Sequence, residues 1–167
     1  LPEFFDIIRN TFGGIVGESH GSVENCVNKG TTTKLSYDIG GIAGRIGKSG
    51  EENDVQIINC SNESDFDVEN TTDIGADLGG IVGYAYAGKI QMCQNQGKLK
   101  GYRIGIGGIA GEIGWIYAAA GETSEIRDCK NVGSISAKGS VGGGICGSSL
   151  RNTKSEDEFA AGMIFII

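Results

Sequence analysis

The chain has 167 residues, 39% of them apolar, with 30 glycines and one proline, a length that suits one domain. Its net charge is −7 and no basic stripe breaks it, which excludes nucleic acid as a natural partner and fits a solvated acidic surface. Glycine does not recur at every third place, which excludes collagen, and the apolar residues recur in register, which excludes a disordered chain.

The chain starts Leu1-Pro2-Glu3, without methionine or a basic segment, and reads as a processed or excised piece. Residues 1–11 read as an N-terminal cap or partial turn. From about residue 12 a glycine block recurs five times: Gly13-Gly14-Ile15-Val16-Gly17, Gly40-Gly41-Ile42-Ala43-Gly44, Gly79-Gly80-Ile81-Val82-Gly83, Gly107-Gly108-Ile109-Ala110-Gly111 and Gly143-Gly144-Ile145-Cys146-Gly147. The first glycines lie 27, 39, 28 and 36 residues apart. Such a period marks an architecture in which one coil cannot bury its apolar face alone but stacked coils can.

A second block follows each of the first four. Its frame is a β-type apolar residue three places before cysteine, then Cys-x-Asn-x-Gly: Cys26 to Gly30, Cys93 to Gly97 and Cys129 to Gly133, with Ser64 replacing glycine after Cys60. A third, shorter piece alternates polar and apolar residues, as in Lys98-Leu99-Lys100 and Ser134-Ile135-Ser136, the pattern of a half-buried strand. Each repeat therefore reads as three short strands with corners at glycine or asparagine, both tolerant of left-handed backbone angles.

The implied fold is all-β: a parallel β-solenoid, with four full turns and a partial one, roughly 20 Å tall at about 4.8 Å per turn. Repeats start near residues 12, 39, 78, 106 and 142, and the solenoid spans 12–147. The stretch from the last glycine of a block to the next cysteine varies between 9 and 18 residues, so insertions map to one corner. Ile15, Ile42, Ile81, Ile109 and Ile145 are expected in one interior column, and Cys26, Cys60, Cys93 and Cys129 in another. The repeated glycine pairs imply close backbone packing or a left-handed bend.

Those four cysteines read as buried free thiols acting as small hydrophobes, not as a disulfide framework. No C-x-x-C or Cys/His cluster suggests zinc. Residues 148–167 read as a polar connector, with a helix start at Ser155…Glu158, followed by a strand from Met163 to Ile167 that covers or extends the last turn. The apolar tail is too short to span a bilayer.

The glycine blocks, each followed by x-Cys-x-Asn-x-Gly, resemble the GLUG-motif repeats of bacterial surface and secreted proteins. The third repeat is the nearest to that pattern, from Leu78-Gly79-Gly80-Ile81-Val82-Gly83 through Cys93-Gln94-Asn95-Gln96-Gly97. The resemblance covers about Phe12 to Gly147. It departs from the pattern at Ser64 and in the fifth block, where Gly142 is extra and Cys146 is a cysteine. It implies a non-catalytic module of an exported protein, extracellular or at the cell surface, serving as a spacer or adhesin for a host or bacterial glycan or protein. Some immunoglobulin-A-cleaving metallopeptidases carry such repeats, but their zinc motif needs two histidines and this chain has His20 alone. No cofactor is expected, and the module would be monomeric or part of a longer chain. The alternatives are a carbohydrate-active β-helix, lyase or hydrolase, or an accessory region of a larger peptidase.

Other candidates are weaker. Ser19-His20 lack an orienting third group. Asp38, Asp73 and Asp77 precede glycine blocks, but nothing in the repeat frame converges them into the acid pair that glycoside cleavage needs. Asp65, Asp67 and Glu69 invite calcium, yet in a strand they point outward while Phe66 and Val68 point in. Tyr84, Tyr86, Trp115 and Tyr117 follow glycine blocks on consecutive turns and could gather as an exposed binding patch.

Overall fold

Short strands bounded by glycine and asparagine have little surface to bury by themselves, so each pairs with its copy one repeat away. The computed structural model describes residues 10–31, 37–47, 54–68, 77–102, 105–114, 123–139, 141–149 and the backbone of Met163–Ile166. Among these residues every strand pairing is parallel, and equivalent strands of successive repeats stack in sequence order. The protein is a parallel β-solenoid.

Five ladders run along it. The first stacks β1 (Thr11–Gly13), β5 (Asp38–Gly40), β10 (Asp77–Gly79), β15 (Gly105–Gly107) and β20 (Val141–Gly143). The second stacks β2 (Val16–Ser19), β6 (Ala43–Ile46), β11 (Val82–Ala85), β16 (Ala110–Ile113) and β21 (Cys146–Ser149). The third joins β3 (Val23–Glu24), β7 (Gln56–Ile58), β12 (Gly88–Gln91), β17 (Thr123–Arg127) and β22 (Met163–Ile166). The fourth holds β4 (Val27–Asn28), β8 (Ser61–Asn62), β13 (Gln94–Asn95) and β18 (Lys130–Asn131), and the fifth β9 (Phe66–Val68), β14 (Leu99–Tyr102) and β19 (Ile135–Lys138). The three pieces of the sequence repeat are thus the three pieces of a turn. The glycine block and the cysteine–asparagine block are each bent into two strands, and the third piece is one.

Register holds through the irregular fifth block. Gly107 lies opposite Gly143 and Ala110 opposite Cys146, so Gly142 simply takes the place of Ile106 in its column. Met163–Ile166 pairs with Thr123–Ile126, which extends the last turn. The proposed cap over residues 1–9 and the helix start at Ser155 and Glu158 lie outside the described residues.

In the inner turns the three glycines of the block do three different jobs. A Cβ on the first would sit 1.7–1.8 Å from the carbonyl oxygen three residues on, so only glycine lets the strand double back there. A Cβ on the second would meet the asparagine of the fourth ladder, at 2.4 Å from Cγ for Gly41 and Gly80. A Cβ on the third would strike the preceding turn's first ladder, as Gly83 would Ile39 N at 2.5 Å. Close packing is the reason for the glycines, and none of these block positions has positive φ.

Because the first and second ladders touch through bare backbone, the apolar interior is split in two. One part holds Ile42, Ile81 and Ile109 with Ile46, Ile57, Ile90, Cys60 and Cys93. The other holds Ile39, Leu78 and Ile106 against Phe66, Val68 and Leu99. Full burial of each such aliphatic side chain contributes roughly 1.5–3 kcal/mol. The isoleucine column is as expected at its centre, where Ile42, Ile81 and Ile109 are 0% exposed. Ile145 is half-buried, and Ile15 departs from the expectation at 46% exposed, because it belongs to the outermost described turn.

Candidate functional site: stacked thiols and amides

Cysteine and the asparagine two residues later lie on the same face of an extended segment, so a turn that buries one also buries the other. The thiol column is present. Ser61 N donates to Cys26 O, Gln94 N to Cys60 O and Lys130 N to Cys93 O, each at 2.9 Å. Cys60 and Cys93 are interior, Cys26 and Cys129 half-buried, and all are free thiols. Each thiol donates to the carbonyl two residues before it: Cys60 to Ile58 O at 3.2 Å, Cys93 to Gln91 O at 3.1 Å, Cys129 to Arg127 O at 3.3 Å. The amide of Cys60 donates to Cys93 Sγ, and that of Cys93 to Cys129 Sγ, both at 3.5 Å.

Such neighbours titrate together. Hydrogen bonds with Cys129 and Cys60, and then burial, push the Cys93 thiol far above its ordinary range. The hydrogen bond from Cys93 pulls Cys60 down to about 6 and also lowers Cys129. Cys146 stands apart, in the Val16–Ala43–Val82–Ala110 column, and burial pushes it up to about 12.

Beside the thiols runs an amide ladder that sequence reasoning placed at a corner. Asn28 Nδ2 donates to Asn62 Oδ1 at 2.9 Å, Asn62 to Asn95 at 2.8 Å and Asn95 to Asn131 at 2.8 Å. The second amide hydrogen goes to the carbonyl two residues on, Ser64 O, Gly97 O or Gly133 O. Asn62 and Asn95 are 0% exposed, and the ladder fills the hydrogen-bonding capacity that makes such burial affordable. The left-handed residues other than glycine lie just before cysteine: Asn25, Asn59, Met92 and Asp128, with φ between 51° and 56°. Cys-x-Asn spacing was the signal for the ladder, since period two puts both side chains inward.

Of the four aromatic candidates, the two described ones, Tyr84 and Tyr86, are drawn inward. Tyr84 is 1% exposed and its hydroxyl donates to Gly114 O at 2.8 Å. Tyr86 is half-buried, edge-on to Tyr84 at 4.5 Å, with the Arg45 guanidinium 5.6 Å from its ring centre. Trp115 and Tyr117 lie outside the described residues.

The acids are placed differently from expectation as well. Asp38 and Asp77 face each other across adjacent rungs, so the repeat does bring these two together. They are 0% and 5% exposed, and Arg45 holds Asp38 through Nε at 3.0 Å. Asp73 lies outside the described residues. Asp65 and Asp67 point outward and Phe66 and Val68 inward, as a strand requires. Asp65 accepts from Lys98 N at 2.7 Å and Asp67 pairs with Lys100 at 3.4 Å, while Glu69 is outside the described residues. Among the described residues no three His, Cys, Asp or Glu side chains converge as a metal site. Ser19 turns inward, its hydroxyl donating to Gly21 O at 3.0 Å, and His20 points out beside Glu18 at 3.2 Å.

Fold and columns together define a β-solenoid held by continuous thiol and amide files. Comparisons with family models, curated proteins and solved structures found no match. No helix among the described residues is long and apolar enough to cross a membrane.

Proposed function

We propose that the protein is a non-catalytic repeat module of a bacterial surface or secreted protein, a spacer that also serves as an adhesin. One observation carries this reading: the polar residues that recur with the turn hold one turn to the next. Asn62 donates to Asn95 and Asn95 to Asn131, and each also donates to a carbonyl of its own turn. A body built this way is stiff along its axis and keeps its cross-section, which suits a spacer. Burial of Cys60 and Cys93, at 2% and 1% exposed, suits thiols that must persist outside a reducing cell.

The reading is tested by two assays on the same preparation. Polysaccharides incubated with the protein should gain neither reducing ends nor unsaturated products. A glycan and peptidoglycan array should show binding that Trp115→Ala with Tyr86→Ala abolishes, if adhesion uses that corner. Polysaccharide cleavage that disappears in a folded Asp77→Asn variant would replace this reading with that of a carbohydrate-active β-helix.

A further inference from the structure

We propose that the thiol column binds soft d10 metal cations, with monovalent copper as the type, each held linearly between cysteines of successive turns. Three features of the column point there. Backbone hydrogen bonds of 2.9 Å from rung to rung stack its four cysteines one above another. Successive rungs lie about 4.8 Å apart, and two metal–thiolate bonds of about 2.3 Å placed end to end span nearly that distance. The surroundings are Ile57, Ile90 and Ile126, with Cys60 and Cys93 sealed from water, a setting that favours polarisable thiolate and a soft ion over a hydrated hard one.

Geometry also limits the coordination number. With one sulfur per turn and turns about 4.8 Å apart, three successive sulfurs span about 10 Å and do not converge on one ion, in line with the absence of three-ligand groups among the described residues. Tetrahedral zinc is therefore disfavoured, and two-coordinate ions fit. When one ion enters one gap, two S–H bonds break, two S–metal bonds form and two protons leave to solvent. For a monovalent ion the bis-thiolate keeps one negative charge. The amides of Cys60 and Cys93, 3.5 Å from the sulfurs of Cys93 and Cys129, already point at that charge. Half-buried Cys26 and Cys129 give entry from either end of the file.

The test is a competition titration of the reduced, oxygen-free 167-residue chain with Cu(I) against a coloured chelator. The four sulfurs bound three gaps, so about three ions per chain are expected at saturation, with the Cys60 and Cys93 thiolates each bridging two ions and one proton leaving from each of the four thiols. Cys146→Ser should leave the number unchanged. Cys93→Ser removes the sulfur common to two gaps and should leave about one ion, between Cys26 and Cys60. Circular dichroism checks that this variant keeps its β-structure. Should it fail to fold, alkylation of the unaltered chain decides: copper should slow modification of Cys26 and Cys129 by about tenfold or more and spare Cys146. The proposal is overturned by a copper count indifferent to Cys93→Ser, by protection confined to Cys146, or by binding only after the β-structure is lost.

Discussion

Met92 sits at φ 53°, in the position that Asn25, Asn59 and Asp128 occupy in the other turns, and is 54% exposed. A left-handed angle strains an ordinary side chain by about 1–2 kcal/mol, while asparagine tolerates it. Met92→Asn should therefore stabilise the protein by about 1 kcal/mol, read as a raised denaturant midpoint. The substitution would also extend the contact in which Asn59 Nδ2 donates to Asn25 Oδ1 at 2.7 Å. Asn95 offers the opposite case. Asn95→Ala removes two ladder bonds and strands the amide of Asn62, at a cost of about 2–4 kcal/mol by the same measurement. Cys146 contributes a pH dependence. Its folded pKa is raised to about 12, so its contribution is complete below the ordinary thiol pKa and declines as pH climbs from about 9 towards 12, by up to about 1.4 kcal/mol per pH unit. Cys146→Ala should flatten that decline in denaturation curves taken between about pH 8 and 10.5.

At the scale of the element, the glycine block is a strand–bend–strand unit whose tolerance depends on what lies opposite. Gly80→Ala would drive a Cβ to 2.2 Å from Gly108 O and 2.4 Å from Asn95 Cγ. Loss of more than about 4 kcal/mol, or failure to fold, is expected. Gly144 occupies the same place in the fifth block, yet a Cβ there would meet nothing within 4 Å among the described residues and its φ is not positive. Gly144→Ala should be neutral or stabilise by about 0.5 kcal/mol. Equal damage from both, in thermal melts, would mean that the bend needs glycine for its own angles and that the amide ladder is not the cause.

At the scale of the molecule, strands among the described residues pair only with those of neighbouring turns, so stability should grade from the ends inward. The strands between Asp77 and Tyr102 are paired on both sides, and hydrogen exchange should protect their amides longest. Amides of Thr11–Asn28, in strands paired on one side among the described residues, should exchange earlier. Uniform protection along the axis would contradict nearest-neighbour stacking.

Much of this architecture is legible in the residue order. Five glycine blocks and four Cys-x-Asn frames declare a stacked coil and the thiol column, because a repeat that fixes spacing also fixes which residues stack; alternation declares the direction of Asp65 to Val68, and the apolar tail declares the extra strand at Met163–Ile166. Contacts between different pieces of one turn are not declared by that order. That the second glycine meets the asparagine, that Asp38 meets Arg45, that Tyr84 lies inside, and that the left-handed non-glycine residues fall one place before cysteine all depend on how the turn closes. Repetition encodes distance along the axis. The cross-section is decided by packing between segments that no period relates, and only the folded chain brings those together.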